Sequence, residues 1–212
     1  MTAHAIKNII FDFGGVIFEI EHELTARSFE ELGLPGIRQN FSHLAQDELF
    51  REMETGGVDP KTFRDEIRRM SDVPLEDEQI DEAWNAMLVG LPEGNIELLL
   101  QLKEQYRSFL LSNTNEIHYA AFDRLIRDRW NTALEDCFEE ACFSHRIRLR
   151  KPDERAYRHV LERHGLNPAE TLFIDDTAVN IEAAAAVGLQ TMLVKRNAPL
   201  RETVARFTGK AL

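Results

Sequence analysis

Cysteine is scarce in this chain: its 212 residues include two, Cys137 and Cys142. Two thiols make no disulfide framework, and they show no metal-ligand spacing with the histidines, so both are expected as small buried residues. Long apolar runs are also missing. No stretch approaches the roughly 20 residues that a membrane helix needs, and residues 1–6 lack the basic-then-apolar pattern of a signal peptide. Positive charge is short as well: 25 Lys and Arg face 37 Asp and Glu, a formal net charge of −12. Such a field repels nucleic acid and anionic membranes, and neither is expected as a partner. No repeat and no low-complexity linker interrupts the chain. With 43% hydrophobic and 29% charged residues, this is the composition of a soluble globular protein of one or two domains. It is expected in a reducing cytoplasm, as a monomer or homodimer.

What the chain does have is two apolar runs that end in carboxylate. Ile6-Lys7-Asn8-Ile9-Ile10-Phe11 leads into Asp12-Phe13-Gly14-Gly15-Val16, and Thr171-Leu172-Phe173-Ile174 leads into Asp175-Asp176. Continuous apolar runs of this length are expected as strands buried on both faces. In an open α/β sheet, ligands bind beyond the carboxyl ends of the strands, so these acids should converge on one crevice. Further strands are expected at 108–111, weakly at 142–144, and at 190–194. Helices are expected at 93–105, up to about 129, at 153–164, at 179–187 and at the C-terminus. Gly165 and Gly188 stand just past two of them as helix stops. Alternating strands and helices predict a doubly wound, Rossmann-like parallel sheet.

Between the first and second strands the pattern is different. Residues 24–32, 47–54, 59–70 and 76–88 read as helices, with Pro60 at the first position after a capping Asp59. No βαβ unit accounts for such a stretch. Residues 18–89 are therefore expected as a helical cap inserted after the first strand, over a core made of 1–17 and 90–212. Phe18, Phe41, Phe50, Phe63 and Trp84 have spacings that suit packing within the cap. The turn Thr55-Gly56-Gly57-Val58 is placed where it could reach over the crevice.

The residues at the strand ends carry a consistent chemistry. Asp12 is a candidate nucleophile towards phosphorus, forming an aspartyl-phosphate that water later hydrolyses. Gly14 and Gly15 let a phosphate approach the backbone closely. Asp175 and Asp176 can join Asp12 around a hard cation that takes oxygen ligands, with Mg²⁺ the expected one. Ser112 and Asn113 stand between a strand and a helix, where hydroxyl and backbone N–H groups suit an anion. Lys151, just before Pro152, supplies a point charge that can neutralise both phosphate and crowded carboxylates. Asn180 lies one turn into the next helix and can orient an aspartate. Arg146, Arg148 and Arg150 are expected to be mostly surface residues.

The four segments Asp12-Phe13-Gly14-Gly15-Val16, Leu111-Ser112-Asn113-Thr114-Asn115, Arg150-Lys151-Pro152 and Asp175-Asp176 with Asn180 resemble, in this order, the motifs of the haloacid dehalogenase-like hydrolase superfamily. Within it the chain is most similar to the bacterial α-D-glucose-1-phosphate phosphatase type. The resemblance spans essentially the whole chain. It implies a Mg²⁺-dependent phosphatase of small phosphorylated metabolites, with the Gly14 carbonyl as a further metal ligand and Ser112 and Asn113 on the phosphate. One departure matters. Most phosphatases of the superfamily carry a second Asp two residues after the nucleophile, as general acid and base, and here that position is Gly14. Glu19, Glu21, His22 or a cap residue could replace it. A metal-independent 2-haloacid dehalogenase and a degenerate phosphate-binding protein are the alternatives.

Overall fold

The computed structural model describes residues 5–34 and 48–208, so Phe41 lies outside the described residues. In chain order the elements are β1 (Asn8–Phe11), β2 (Glu19–Ile20), α1 (His22–Glu31), α2 (Glu48–Glu54), α3 (Pro60–Arg69), α4 (Asp77–Asn85), β3 (Leu88–Gly90) and α5 (Asn95–Lys103). They continue as β4 (Arg107–Ser112), α6 (Glu116–Trp130), β5 (Glu140–Phe143), α7 (Ser144–Ile147), α8 (Glu154–His164), β6 (Thr171–Asp175), α9 (Ala178–Ala186), β7 (Gln190–Leu193) and α10 (Leu200–Thr208).

Five strands form one parallel sheet in the order β5-β4-β1-β6-β7. Successive side chains of a strand point to opposite faces, and here both faces are covered. Ile9 and Phe11 join Leu99, Phe122 and Val204 on one side; Ile10 joins Tyr157, Val160 and Ala184 on the other. Double burial is why β1 and β6 read as unbroken apolar runs. β1 lies at the centre, and the chain leaves it for β4 on one side and comes back to β6 on the other. The carboxyl ends of β1, β4 and β6 therefore share one crevice.

Helices α1 to α4 build a separate apolar cluster around Phe29, Phe50, Phe63, Ile80 and Trp84, with Ile117 of α6 added to it. Trp84 is central, with ring centroids 5.1 Å from Phe50 and 5.0 Å from Phe63. These three aromatics pack as expected; Phe18 does not. It sits in the core of the sheet, 5.1 Å from the Phe13 ring. The reason is local: the chain reverses after β1, with Phe18 N–H donating to the Phe13 carbonyl.

The helix expected over 76–88 stops at Asn85, and Leu88–Gly90 pairs antiparallel with β2. Strands of two and three residues carry too little alternation to be read from sequence. This ribbon marks where the helical excursion leaves and rejoins the sheet layer. Asn197 secures it: its amide donates to the Ile20 carbonyl at 3.0 Å and accepts from Ile20 N–H at 3.2 Å. Asn197 N–H also donates to the Gly15 carbonyl at 2.7 Å.

Candidate active site

Asp12 follows the last residue of β1, and its backbone N–H still extends the ladder to the Ile174 carbonyl. Its Oδ1 accepts from Phe13 N–H at 2.7 Å and faces Lys151 Nζ at 2.7 Å. The other carboxylate oxygen is the one left for chemistry. Lys151 is 1% exposed and also donates to Asp175 Oδ2 at 2.8 Å. One buried ammonium thus holds two buried carboxylates. Burial pushes the Asp12 carboxyl up to about 7, Lys151 opposes that rise, and Asp175 adds to it. Burial acts the other way on Lys151, but the two aspartates outweigh it and hold its pKa above 10.5.

Asn113 locks the lysine in place. Its amide donates to the Lys151 carbonyl and accepts from Lys151 N–H, both at 2.9 Å. The Asn113 side chain is therefore engaged by Lys151, which leaves its backbone N–H as the group that could meet an anion. Ser112 ends β4 and borders the cavity. The N-cap of the following helix is Asn115, which accepts from Ile117 and His118 N–H. Gly15 has φ +81°, its N–H donates to the Phe18 carbonyl, and a Cβ there would lie 2.6 Å from Asp176 Oδ2. The missing side chain is what lets that carboxylate come close.

Carboxylate oxygens of Asp12, Asp175 and Asp176 lie within 4.8 Å of one another. Such a donor set suits a hard divalent cation, and the Gly14 carbonyl accepts no hydrogen bond from the described residues. The two adjacent aspartates are not equivalent. Asp175 is fully buried, with its oxygens taken by Lys151, Thr177 N–H and Asn180 Nδ2. Asn180 Nδ2 donates to both oxygens of Asp175, at 3.2 and 3.0 Å. Asp176 borders the cavity, bonded to Thr177 Oγ1 at 3.0 Å and to Arg196 Nε at 2.5 Å. Asp12 and Asp176 are the pair that could reach a cation, and Asp175 anchors the lysine.

Above this floor lies a cavity of about 390 Å³. Of the substitute acids considered from sequence, His22 borders it, whereas Glu19 and Glu21 do not. Glu21 instead caps α1, its carboxylate accepting from Glu23 N–H. The turn 55–58 does not border the cavity either: Gly56 packs against the His145 carbonyl. The residues that do reach in are Arg51 and Glu54 of α2. Arg150, expected at the surface, turns inward and faces Glu54 Oε2 at 2.8 Å, an ion pair without hydrogen-bond alignment. Arg146 and Arg148 are exposed. On the far wall, Trp84 stacks on His118 with centroids 4.8 Å apart. Burial holds His118 down to about 3, with the nearby His22 adding to the shift, so its ring is neutral. Arg196 escaped the sequence reading, although its place just past β7 was a usable signal.

Residues 6–188 match the family model described as haloacid dehalogenase-like hydrolase. A D-ribitol-5-phosphate phosphatase of Bacteroides thetaiotaomicron is 28% identical over 199 residues, which cover 93% of this chain and 96% of that one. A sesquiterpene phosphatase of Aspergillus oryzae is 28% identical over 195 residues, covering 86% of this chain and 87% of that one. Among solved structures, a HAD family enzyme of Bacteroides thetaiotaomicron superposes with a TM-score of 0.89 at 34% identity, over 94% of this chain and 99% of that one. That structure is of an Asp12→Ala variant of the enzyme, in complex with magnesium and inorganic phosphate.

Proposed function

The chain belongs to the haloacid dehalogenase-like hydrolase family and is a phosphoric monoester hydrolase, and on that premise we propose that it uses Mg²⁺ and Asp12 to hydrolyse small phosphorylated metabolites. The observation that carries this reading is the single buried lysine held between Asp12 and Asp175, with Asp176 beside them. The free oxygen of Asp12 attacks phosphorus, the bond from phosphorus to the ester oxygen breaks, and an aspartyl-phosphate forms. Water then attacks phosphorus, freeing phosphate and restoring the carboxylate. Lys151 stays charged throughout and offsets the charge that collects at Asp12. We assign Ser112 Oγ and the Asn113 N–H to phosphoryl oxygens, since the Thr114 N–H is taken by Ser144 Oγ and those of Ile117 and His118 by Asn115. A divalent cation, when bound, would add positive charge for the phosphoryl oxygens and keep the aspartates ionised. We read residues 18–89 as the cap over this site, and a cavity of about 390 Å³ suits a small metabolite.

A 2-haloacid dehalogenase also uses an aspartate nucleophile but has no use for Asp176 beside it. Metal dependence separates the two readings. Chelation with EDTA should stop phosphate release, Mg²⁺ should restore it, and Ca²⁺ should not, because its longer and looser coordination misplaces a transfer that depends on positioning. Full phosphate release in EDTA would overturn the use of Mg²⁺, whereas halide release from a 2-haloacid without phosphate release is what would favour the dehalogenase.

Gly14 bears on the leaving group. No carboxyl stands at that position to protonate the departing oxygen, and Glu54, across the cavity, is held by Arg150. A positioned general acid contributes roughly 10²–10⁴-fold. Without one, a less basic departing oxygen is favoured, and an anomeric oxygen is such a group. We therefore infer a preference for sugar 1-phosphates over 6-phosphates of the same sugar. A Cβ at Gly14 would meet the end of the Ile20 side chain at 3.2 Å, a contact that a small shift relieves. Gly14→Asp should narrow the preference by raising kcat/KM on the 6-phosphate. Equal rates on both esters, unchanged in the variant, would refute the leaving-group argument.

A further inference from the structure

The charges that border the cavity are balanced in a way that the chemistry at Asp12 does not require. Arg51 pairs with Glu48 at 2.8 Å, Arg150 with Glu54 at 2.8 Å, Lys151 with Asp12 and Asp175, and Arg196 with Asp176. Burial lowers the pKa of His22, with Arg196 adding to the shift. Every cation that borders the cavity therefore has a carboxylate of its own among the described residues. The transferred phosphoryl group has Lys151 and the cation that Asp12 and Asp176 could hold. A second anionic group on the substrate has no unpaired partner to meet.

Glu54 is the residue that imposes this. It ends α2, borders the cavity with about a third of its side chain exposed, and spans to Arg150, the neighbour of Lys151 in sequence. The pair presents an acceptor and a donor side by side, which is what vicinal hydroxyls need. A carboxylate or second phosphate in the same place would confront Glu54 with like charge, while the nearest guanidinium is already neutralised. Like charges brought together in a binding site exclude a ligand as effectively as a clash.

We propose that Glu54, through its ion pair with Arg150, is a specificity-determining residue that selects phosphomonoesters with an uncharged, hydroxyl-bearing leaving group and rejects those carrying a second anion. The proposal rests on the phosphatase reading above and deepens it.

Glucose 1-phosphate and glucuronate 1-phosphate test it, because they share the anomeric leaving oxygen and differ only by the carboxylate. Wild type should prefer the first. Glu54→Gln leaves Arg150 unpaired, so kcat/KM on glucuronate 1-phosphate should rise about tenfold, the scale of one relieved like-charge contact at a partly exposed site. In the double variant Glu54→Gln/Arg150→Gln that gain should disappear, since the guanidinium is what would receive the carboxylate. A merely structural role for Glu54 yields losses on both substrates and no gain on either. An unchanged ratio in Glu54→Gln with a thermal transition like that of wild type overturns the proposal, as does a wild type that does not distinguish the two esters. Mg²⁺-dependent release from p-nitrophenyl phosphate, measured in parallel, reports the phosphatase reading separately. Its absence defeats that reading, whatever Glu54 does.

Discussion

Asp12→Asn should abolish phosphate release while the protein melts close to the wild-type temperature. An amide cannot attack phosphorus, and loss of a covalent nucleophile costs about 10⁴-fold or more where catalysis runs through it. Stability should change little because the substitution keeps the shape and the contact that Asp12 makes locally. An Asn oxygen can still accept from Phe13 N–H, the bond that Oδ1 makes at 2.7 Å. Lys151 keeps its bond to Asp175. Removing a carboxyl whose ionisation burial already opposes takes away strain as well as attraction. Affinity for Mg²⁺, measured by calorimetry, should fall because one oxygen donor loses its charge. Turnover near the wild-type rate with a matched thermal transition would sink the assignment of Asp12.

The second large effect belongs to Lys151. Lys151→Met preserves length and apolar bulk but leaves Asp12 and Asp175 packed together without their shared cation. Breaking a buried ion pair by removing one partner typically costs about 3–5 kcal/mol. Metal-free Lys151→Met should therefore unfold at clearly lower denaturant concentration than wild type. The deficit should be greatest above neutral pH, because burial raises the Asp12 carboxyl to about 7, and shrink as acid protonates Asp12. Mg²⁺ should recover part of it by binding the folded state alone. Catalysis should be lost even where the fold is rescued. A variant as stable as wild type in EDTA at pH 8 would show that the lysine is not balancing those carboxylates.

The residues on which both expectations rest were legible because each signal is local. A strand buried on both faces needs an unbroken apolar run, and a carboxylate at its end stands out against that run. Lys151 and Asn180 carry a local signal of the same kind, a short spacing from a proline or an aspartate. Contacts that depend on distant segments meeting were not legible. Arg150 looks like the last member of a solvated Arg-Leu-Arg run, and nothing nearby says that Glu54 of α2 will draw it inward. The bond between the Asn113 amide and the Lys151 backbone has no sequence signal either, because only the fold brings the two within reach. Phe18 has a spacing that fits the cap; the tight reversal that turns it into the sheet core is a matter of backbone hydrogen bonds. The β2–β3 ribbon is too short to leave any periodic trace.

That ribbon has a consequence for how such a protein can change. Glu19 lies opposite Gly90 and Ile20 opposite Leu88, so the chain departs from the sheet layer and returns to it at the same doorstep. The five parallel strands cannot sense how long the journey in between has been. Closing a longer excursion adds entropy cost only slowly with length, and both of its ends are already stitched together. The helices could be lengthened, shortened or traded for others without moving Asp12, Lys151 or Asp176 relative to one another. A lineage can therefore exchange those helices as a cassette, while the strand ends that carry Asp12, Lys151 and Asp176 are inherited intact.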